Sequence, residues 1–440
     1  MKKITILIFT IVFTMQLDAQ IITLASDSKK TVNPLLTEWK TPYQTPPFKQ
    51  IRIEHYLPAF TTCIDLAKKD IEVIDKNPEA PTFQNTIVAL DRAGQKLTRI
   101  SGIFFNLLEC DATPEMQKIA TAVQPLLTEY SNSIYLDEVL FKRVKTVYEN
   151  EYNQLNGVDQ MLLKKTYEAF LDNGANLPTD KKEEFKKLSV ELAGLTLQFG
   201  QNALAATNAW QKVINDKKLL KGIPEGDLEI AKQKAEAKGF EGYLFDLSYP
   251  SRRAILTYAD DASLRKEVYM NSCNIAYNGE FDNSNVIKNI LNCRQQIAQL
   301  LGYKNYAEYV LHNRMAKTCD KVYELLDELA EYSIPAAKNE MKSLTDYAHQ
   351  HGHKGDLQRW DYSYYSEKQK NDLFKLSDED LKPYFKLENV IDGVFSLAKN
   401  LYSKVQTYYL LLYHSSKLFL KILKIFDIIF YICEGLYEKS

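Results

Sequence analysis

Apolar residues recur every three or four positions along most of this 440-residue chain, the spacing that gathers side chains on one face of a helix. Leu57, Phe60, Ile64, Ala67, Ile71 and Ile74 form one such stripe. After Pro81, Phe83, Ile87, Leu90, Leu97, Phe104 and Leu108 continue it in a second predicted helix. Asp180 and Glu183 have the spacing of a capping box, with Phe185, Leu188, Leu192, Leu195 and Phe199 as the stripe behind them. Asp320 is placed to cap a long helix carrying Val322, Leu325, Leu329 and Tyr332, which Pro335 should kink.

Strand signals are sparse. The best is Tyr243 to Ser248, where Tyr243, Phe245 and Leu247 alternate with Leu244, Asp246 and Ser248. No repeat of fixed period suggests a solenoid. Loops are expected at Asn77 to Pro81, Asn173 to Pro178, Gly222 to Gly226 and Gly352 to Gly355, none long enough to be a flexible linker. The expected fold class is mainly α: a large multi-helix body with at most a short strand or hairpin.

Both ends depart from this pattern. Lys2 and Lys3 precede an apolar run from Ile4 to Phe13, and Leu17-Asp18-Ala19 offers a cleavage point before Gln20. Residues 1–19 therefore read as an export signal, too short to be a spanning helix. The expected location is outside the cytoplasm, in the periplasm. Residues 403–440 are rich in Leu, Ile, Phe, Tyr and Lys, with only Asp427, Glu434 and Glu438 acidic. Within them Leu418 to Cys433 is apolar except for Lys421, Lys424 and Asp427. Those charges argue against a membrane span and leave weak contact with a membrane surface open.

Composition narrows the function classes. A formal net charge of −2 gives no basic field for nucleic acid, so no nucleic-acid partner is expected. The 28 tyrosines suit a wet, hydrogen-bonding cavity and helix interfaces equally. Cys63, Cys110, Cys273, Cys293, Cys319 and Cys433 are widely and irregularly spaced, which fits buried free thiols better than a disulfide framework or a zinc ribbon.

Motifs for known chemistries are mostly missing. His349, His351 and His353 form the one histidine cluster, and the glycines around them favour a helix end running into a polar loop over a metal site. A hydrolytic zinc helix needs two histidines four apart, with a glutamate after the first to take a proton from bound water. None of the six histidines is followed by Glu, so the sequence contains no H-E-x-x-H. There is no G-x-S-x-G elbow and no phosphate-binding glycine loop. Asp260-Asp261 and Asp378-Glu379-Asp380 sit where helices should begin, as caps. Trp360-Asp361-Tyr362-Ser363-Tyr364-Tyr365 allows two readings. It could line a peptide-binding groove, its tyrosines donating to a carbonyl or an oxyanion. The favoured reading is Trp-anchored packing, with Asp361 capping the next helix.

Trp360-Asp361-x-x-Tyr364-Tyr365 resembles the W-D-x-x-[FY]-Y element of the thimet oligopeptidase-like zinc peptidases. Further stretches agree with that family in the same order: Tyr249 to Arg253, Leu264 to Tyr269, Phe281 to Asn283, Cys293 to Tyr303, Asn305 to Ala307, Arg314 to Thr318, Leu381 to Phe385 and Gly393 to Phe395. Together they resemble the bacterial peptidyl-dipeptidase (Dcp) branch over Asn33 to Tyr402. The resemblance implies two helical lobes flanking a deep channel, a catalytic zinc, and short peptides as substrates that lose C-terminal dipeptides. It places Trp360, Asp361, Tyr364 and Tyr365 beside that channel. No catalytic residue or zinc ligand maps onto this sequence.

The expected domain plan is a signal over residues 1–19, the helical front portion of such a peptidase over 20–402, and an unrelated tail over 403–440, read as a frameshift or early-stop product. On this reading zinc belongs to the family and none is expected here, and the chain is inactive by itself. The alternative is a non-catalytic helical protein that binds peptides or a membrane surface. A lobe shaped to pack on another should also expose an apolar face and self-associate.

Overall fold

The protein is described here by a computed structural model covering residues 32–402. The export-signal segment 1–19, the tail 403–440, His414 and Cys433 lie outside the described residues. As expected, the fold is mainly α, with a single two-stranded ribbon among the described residues. The chain divides into two compact units, residues up to 206 with 276–330, and 207–275 with residues from 331 onward.

The first unit is built from helices α1 (Tyr56–Asp75), α2 (Gln95–Asp111), α3 (Pro114–Tyr135), α4 (Glu138–Glu151), α5 (Gly157–Asp172) and most of α6 (Thr179–Ala209). To these are added α10 (Ser284–Leu300), α11 (Tyr306–Leu311) and the start of α12 (Cys319–Gln350). The first stripe forms one uninterrupted helix, and Phe60, Ile64, Ala67, Ile71 and Ile74 are buried as the spacing predicts. Phe60 meets Phe104 of α2 edge-on at 5.4 Å, both side chains fully out of water. Each such ring contributes about 1.5–3 kcal/mol by burial.

The second stripe does not form one helix. A π-helical segment, Phe83–Val88, runs directly into a short α-helix, Ala89–Arg92, and the chain then breaks before α2. The cause is Gly94, at φ +66°. A Cβ there would stand 3.0 Å from Tyr130 Oη and 3.2 Å from Ala67 Cβ. Its N–H donates to Asp70 Oδ2 of α1 at 3.1 Å. Position 94 is therefore a left-handed corner pressed against α1 and α3, which suits glycine.

The other local expectations met mixed outcomes. Helix α6 begins at Thr179, so Asp180 lies in its first turn instead of capping it. Thr318 Oγ1 accepts from Lys321 N–H and caps α12 in place of Asp320. Helix α12 continues through Pro335. Cys63 and Cys293 are buried free thiols, whereas Cys110 and Cys273 are free and exposed.

The second unit contains the ribbon of β1 (Gln211–Ile214) and β2 (Tyr243–Asp246), helices α7 (Glu225–Ala237), α8 (Tyr249–Tyr258), α9 (Ala262–Cys273) and the rest of α12. After these come α13 (Tyr362–Phe374) and α14 (Leu387–Tyr402). The strands are antiparallel, with Gln211 opposite Asp246 and Ile214 opposite Tyr243. The expected alternation fails in β2, where neighbouring Leu244 and Phe245 are both buried. Ile214, Phe245, Ile255, Leu264 and Val268 share one core cluster. Among the described residues, no helix is long and apolar enough to cross a membrane.

Candidate functional site

The Trp-Asp element begins at a short turn, Arg359–Asp361, which runs directly into α13. Asp361 N–H donates to Gln358 O at 2.9 Å, and Asp361 Oδ2 accepts from Gln358 N–H at 3.2 Å, closing the turn on itself. Asp361 occupies the N-cap position of α13, but its carboxylate does not cap that helix. It is turned inward to a cation the motif itself does not contain. Arg265 Nη2, from α9, donates to Asp361 Oδ1 at 2.6 Å, and both side chains are 3% exposed.

Arg265 uses its planar fork fully. Nε donates to Trp360 O at 3.2 Å, and Nη1 donates to Ala259 O at 2.7 Å and Asp260 O at 3.1 Å. Its guanidinium carbon lies 4.0 Å from the centre of the Tyr364 ring. A buried charge is tolerated only when paired and hydrogen-bonded, and here both conditions hold. The Tyr364 hydroxyl donates to Asp260 Oδ1 at 2.8 Å, with Lys221 3.3 Å and Lys368 3.4 Å from that carboxylate. Burial pushes the Asp260 carboxyl up, but the Tyr364 hydrogen bond and Lys368 outweigh it and hold it below the usual range. Burial raises the Tyr364 and Tyr365 phenols above their ordinary value.

The structure thus brings Trp360, Asp361, Tyr364 and Tyr365 together, with unequal access to a ligand. Asp361, Tyr364 and Tyr365 are buried, whereas Trp360 keeps part of its ring exposed. Sequence reasoning missed Arg265 as their organiser. The available signal was the adjacent order Leu264-Arg265 in the matching stretch, together with the rule that a buried carboxylate needs a cation.

The remaining acidic pairs act as helix ends. Asp261 Oδ1 accepts from Leu264 N–H at 2.7 Å and caps α9. Ser377 caps the short helix Asp378–Leu381, and Asp378 to Asp380 fill its first turn.

The histidine cluster lies where α12 runs into a loop containing Gly352 and Gly355, both at positive φ. His349 Nε2 lies 2.9 Å from Gly355 O, His351 Nδ1 lies 2.8 Å from Tyr347 O, and His353 Nε2 lies 3.4 Å from Asp356 O. The His349 and His353 rings stack 6.2 Å apart, while His351 Nε2 faces Asp372 Oδ2 at 3.6 Å and His353 Nδ1 faces the Tyr365 hydroxyl at 3.5 Å, so the three rings do not share one set of partners. Elsewhere His55 Nδ1 accepts from Arg52 N–H, and His312 Nε2 meets Asp172 Oδ1 at 2.8 Å. Among the described residues, no three His, Cys, Asp or Glu are grouped so as to hold a metal ion. These residues do not fit the zinc that the resemblance implies.

A mostly apolar cavity of about 540 Å³ lies in the first unit, lined by Phe105, Leu108, Leu197, Leu204, Gln117 and Gln201 among others. Gln201 Nε2 is turned to Gln117 O at 3.3 Å. The cavity brings no acid–base pair together.

The sequence profile of Peptidase family M3 matches residues 255–406, which include Arg265 and the Trp-Asp element. Oligopeptidase A of Escherichia coli (strain K12) is 34% identical over 376 residues, covering 84% of this chain and 55% of that protein. The Dipeptidyl carboxypeptidase of the same organism is 32% identical over 376 residues, with the same coverage of each chain. A Thimet-like oligopeptidase of Dictyostelium discoideum is 24% identical over 343 residues, 75% of this chain and 50% of that protein. The chain spans about half the length of the curated relatives it matches. Ordered motifs, helical architecture and profile agree, and the chain belongs to peptidase family M3, the thimet oligopeptidase-like peptidases.

Proposed function

We infer that the described residues serve a zinc-dependent oligopeptidase by holding short peptides, and that these 440 residues do not cleave peptides by themselves. The peptide class is supported by the two relatives named for oligopeptidase and dipeptidyl carboxypeptidase activity, at 34% and 32% identity. The observation that carries the second part is in the sequence. No histidine is followed by Glu, so the pair of imidazoles and the general base of a zinc hydrolase have no positions here.

Within this reading Asp361, Tyr364 and Arg265 form scaffold, and the exposed edge of Trp360 faces peptide. Removal of C-terminal dipeptides is the finer assignment, supported by the ordered resemblance of Tyr249 to Phe395 to the peptidyl-dipeptidase branch. Export to the periplasm is part of the same proposal. It rests on the Lys2-Lys3 start and the apolar run to Phe13.

The test is direct. The purified chain is incubated with zinc and blocked tetra- to octapeptides, and products are read by mass spectrometry. No cleavage is expected, with or without zinc. Zinc-dependent release of dipeptides would overturn the claim of inactivity. Cleavage at internal bonds would overturn it as well, and would remove the dipeptide-releasing assignment. Cell fractionation of the full chain tests export, and retention in the cytoplasm would remove that part.

A further inference from the structure

The outward side of the Arg265–Asp361 pair is built differently from its buried side. Lys266 and Tyr269 stand three apart on α9 and so share a helix face. Arg359, Trp360 and Tyr362 come from the turn and the first residue of α13. Lys266 Nζ lies 5.3 Å from the centre of the Trp360 ring, and the Tyr269 ring meets Trp360 edge-on at 6.0 Å. The Arg359 guanidinium lies 5.2 Å from the centre of the Tyr362 ring. Lys266 and Arg359 are exposed, and the three rings are partly so.

Neighbouring carboxylates are already engaged elsewhere. Asp361 pairs with Arg265, Glu267 with Lys212 at 2.7 Å, and Asp260 with Lys221 and Lys368. Among the described residues Lys266 and Arg359 make no ion pair. Each rests on an aromatic face, a weak contact at an exposed site that leaves the N–H donors free for an anion.

The geometry points to a carboxylate-binding ridge: Lys266 and Arg359 take the carboxylate of a short peptide, while Trp360 and Tyr269 pack against the apolar side chain beside it. Arginine's fork matches a carboxylate with two parallel hydrogen bonds, and lysine adds a point charge. The rings supply the stiff apolar surface that a flexible peptide otherwise lacks. The buried pair below fixes both elements, so the ridge is present before a ligand arrives. That a peptide carries the carboxylate rests on the peptidase reading above; that the ridge takes a carboxylate does not.

Calorimetry on the full chain tests this with four probes: N-acetyl-Ala-Ala-Ala-Phe with a free C-terminus, the same peptide amidated, N-acetyl-Ala-Ala-Glu-Phe-amide, and 3-phenylpropionate. The free acid should bind saturably, and the amidated peptide at least about fivefold more weakly. Lys266→Ala with Arg359→Ala should weaken the acid about tenfold, and high salt should weaken it too. Both positions are exposed, and an unchanged circular dichroism spectrum confirms an intact fold. Binding of the Glu peptide at the strength of the free acid would place side-chain carboxylates among the ligands and still support the ridge. Equal binding of acid and amide, unaffected by the double variant, would overturn the ridge while leaving peptide binding intact. Ridge-dependent binding of 3-phenylpropionate alone would keep the ridge and remove the peptide reading. No heat with any probe would overturn the ridge.

Discussion

Arg265 and Asp361 stand 96 positions apart in sequence and meet at 2.6 Å with almost no access to water. Removing one partner strands the other charge in a dry site. Asp361→Ala should therefore destabilise the second unit by about 3–5 kcal/mol. Arg265→Met combined with Asp361→Leu removes both charges and fills the space, so it should lose less than Asp361→Ala alone. Hydrogen exchange of α9 and α13 reads this locally. A double variant that opens more readily than the single one would contradict the pairing argument.

The same pair shows where sequence reading stopped. The Trp-Asp element was legible as a unit because its aromatic spacing is unusual. Whether Asp361 faced ligand or core was not legible, since that depends on a partner from α9. The stripe from Leu57 to Ile74 was readable because a helix needs only its own period. The break at Gly94 was not, because it follows from how closely Tyr130 and Ala67 approach that backbone. Strand β2 was visible in its own pattern. Its partner Gln211–Ile214 was too short and too polar to declare itself, and cover on both faces erased the alternation at Leu244.

Gly94→Ala tests the corner. A side chain at φ +66° is strained, and its Cβ would press on Tyr130 Oη and Ala67. We expect a loss of about 1–3 kcal/mol in the first unit. Pairing it with Tyr130→Phe should recover part of that loss by removing the contacting oxygen. Urea denaturation of both variants provides the measurement, and no recovery would mean that backbone strain alone sets the cost.

Asp75, the last residue of α1, gives a pH dependence. Burial, reinforced by Asp137, raises its carboxyl from 3.8 to about 6, and its Oδ1 is buried without a hydrogen-bond partner. The folded state thus binds this proton more tightly than the unfolded chain. Its stabilising effect is complete below about pH 4 and is lost as pH rises through about 6. Asp75→Asn should leave stability unchanged near pH 3.5 and raise it by about 1–2 kcal/mol at pH 7, allowing for partial solvent screening. Denaturation midpoints across that range decide it. A variant less stable than the parent at neutral pH would mean that the charged carboxylate is favourable where it stands.

Helix α12 carries the apolar stripe seen in the sequence, and in the structure Leu325 is 57% exposed, Leu329 56% and Tyr332 73%. Residues at i, i+4 and i+7 lie on one side of a helix, so these three form a continuous apolar strip. Exposed strips of this kind mark contact surfaces, and a second copy of the chain presents the same strip to pair with. We expect concentration-dependent self-association in light scattering. Leu325→Glu with Leu329→Glu should abolish it without lowering helix content, because glutamate is a good helix former. A monodisperse parent chain at high concentration, or association unchanged in the variant, would show that the strip is not the contact.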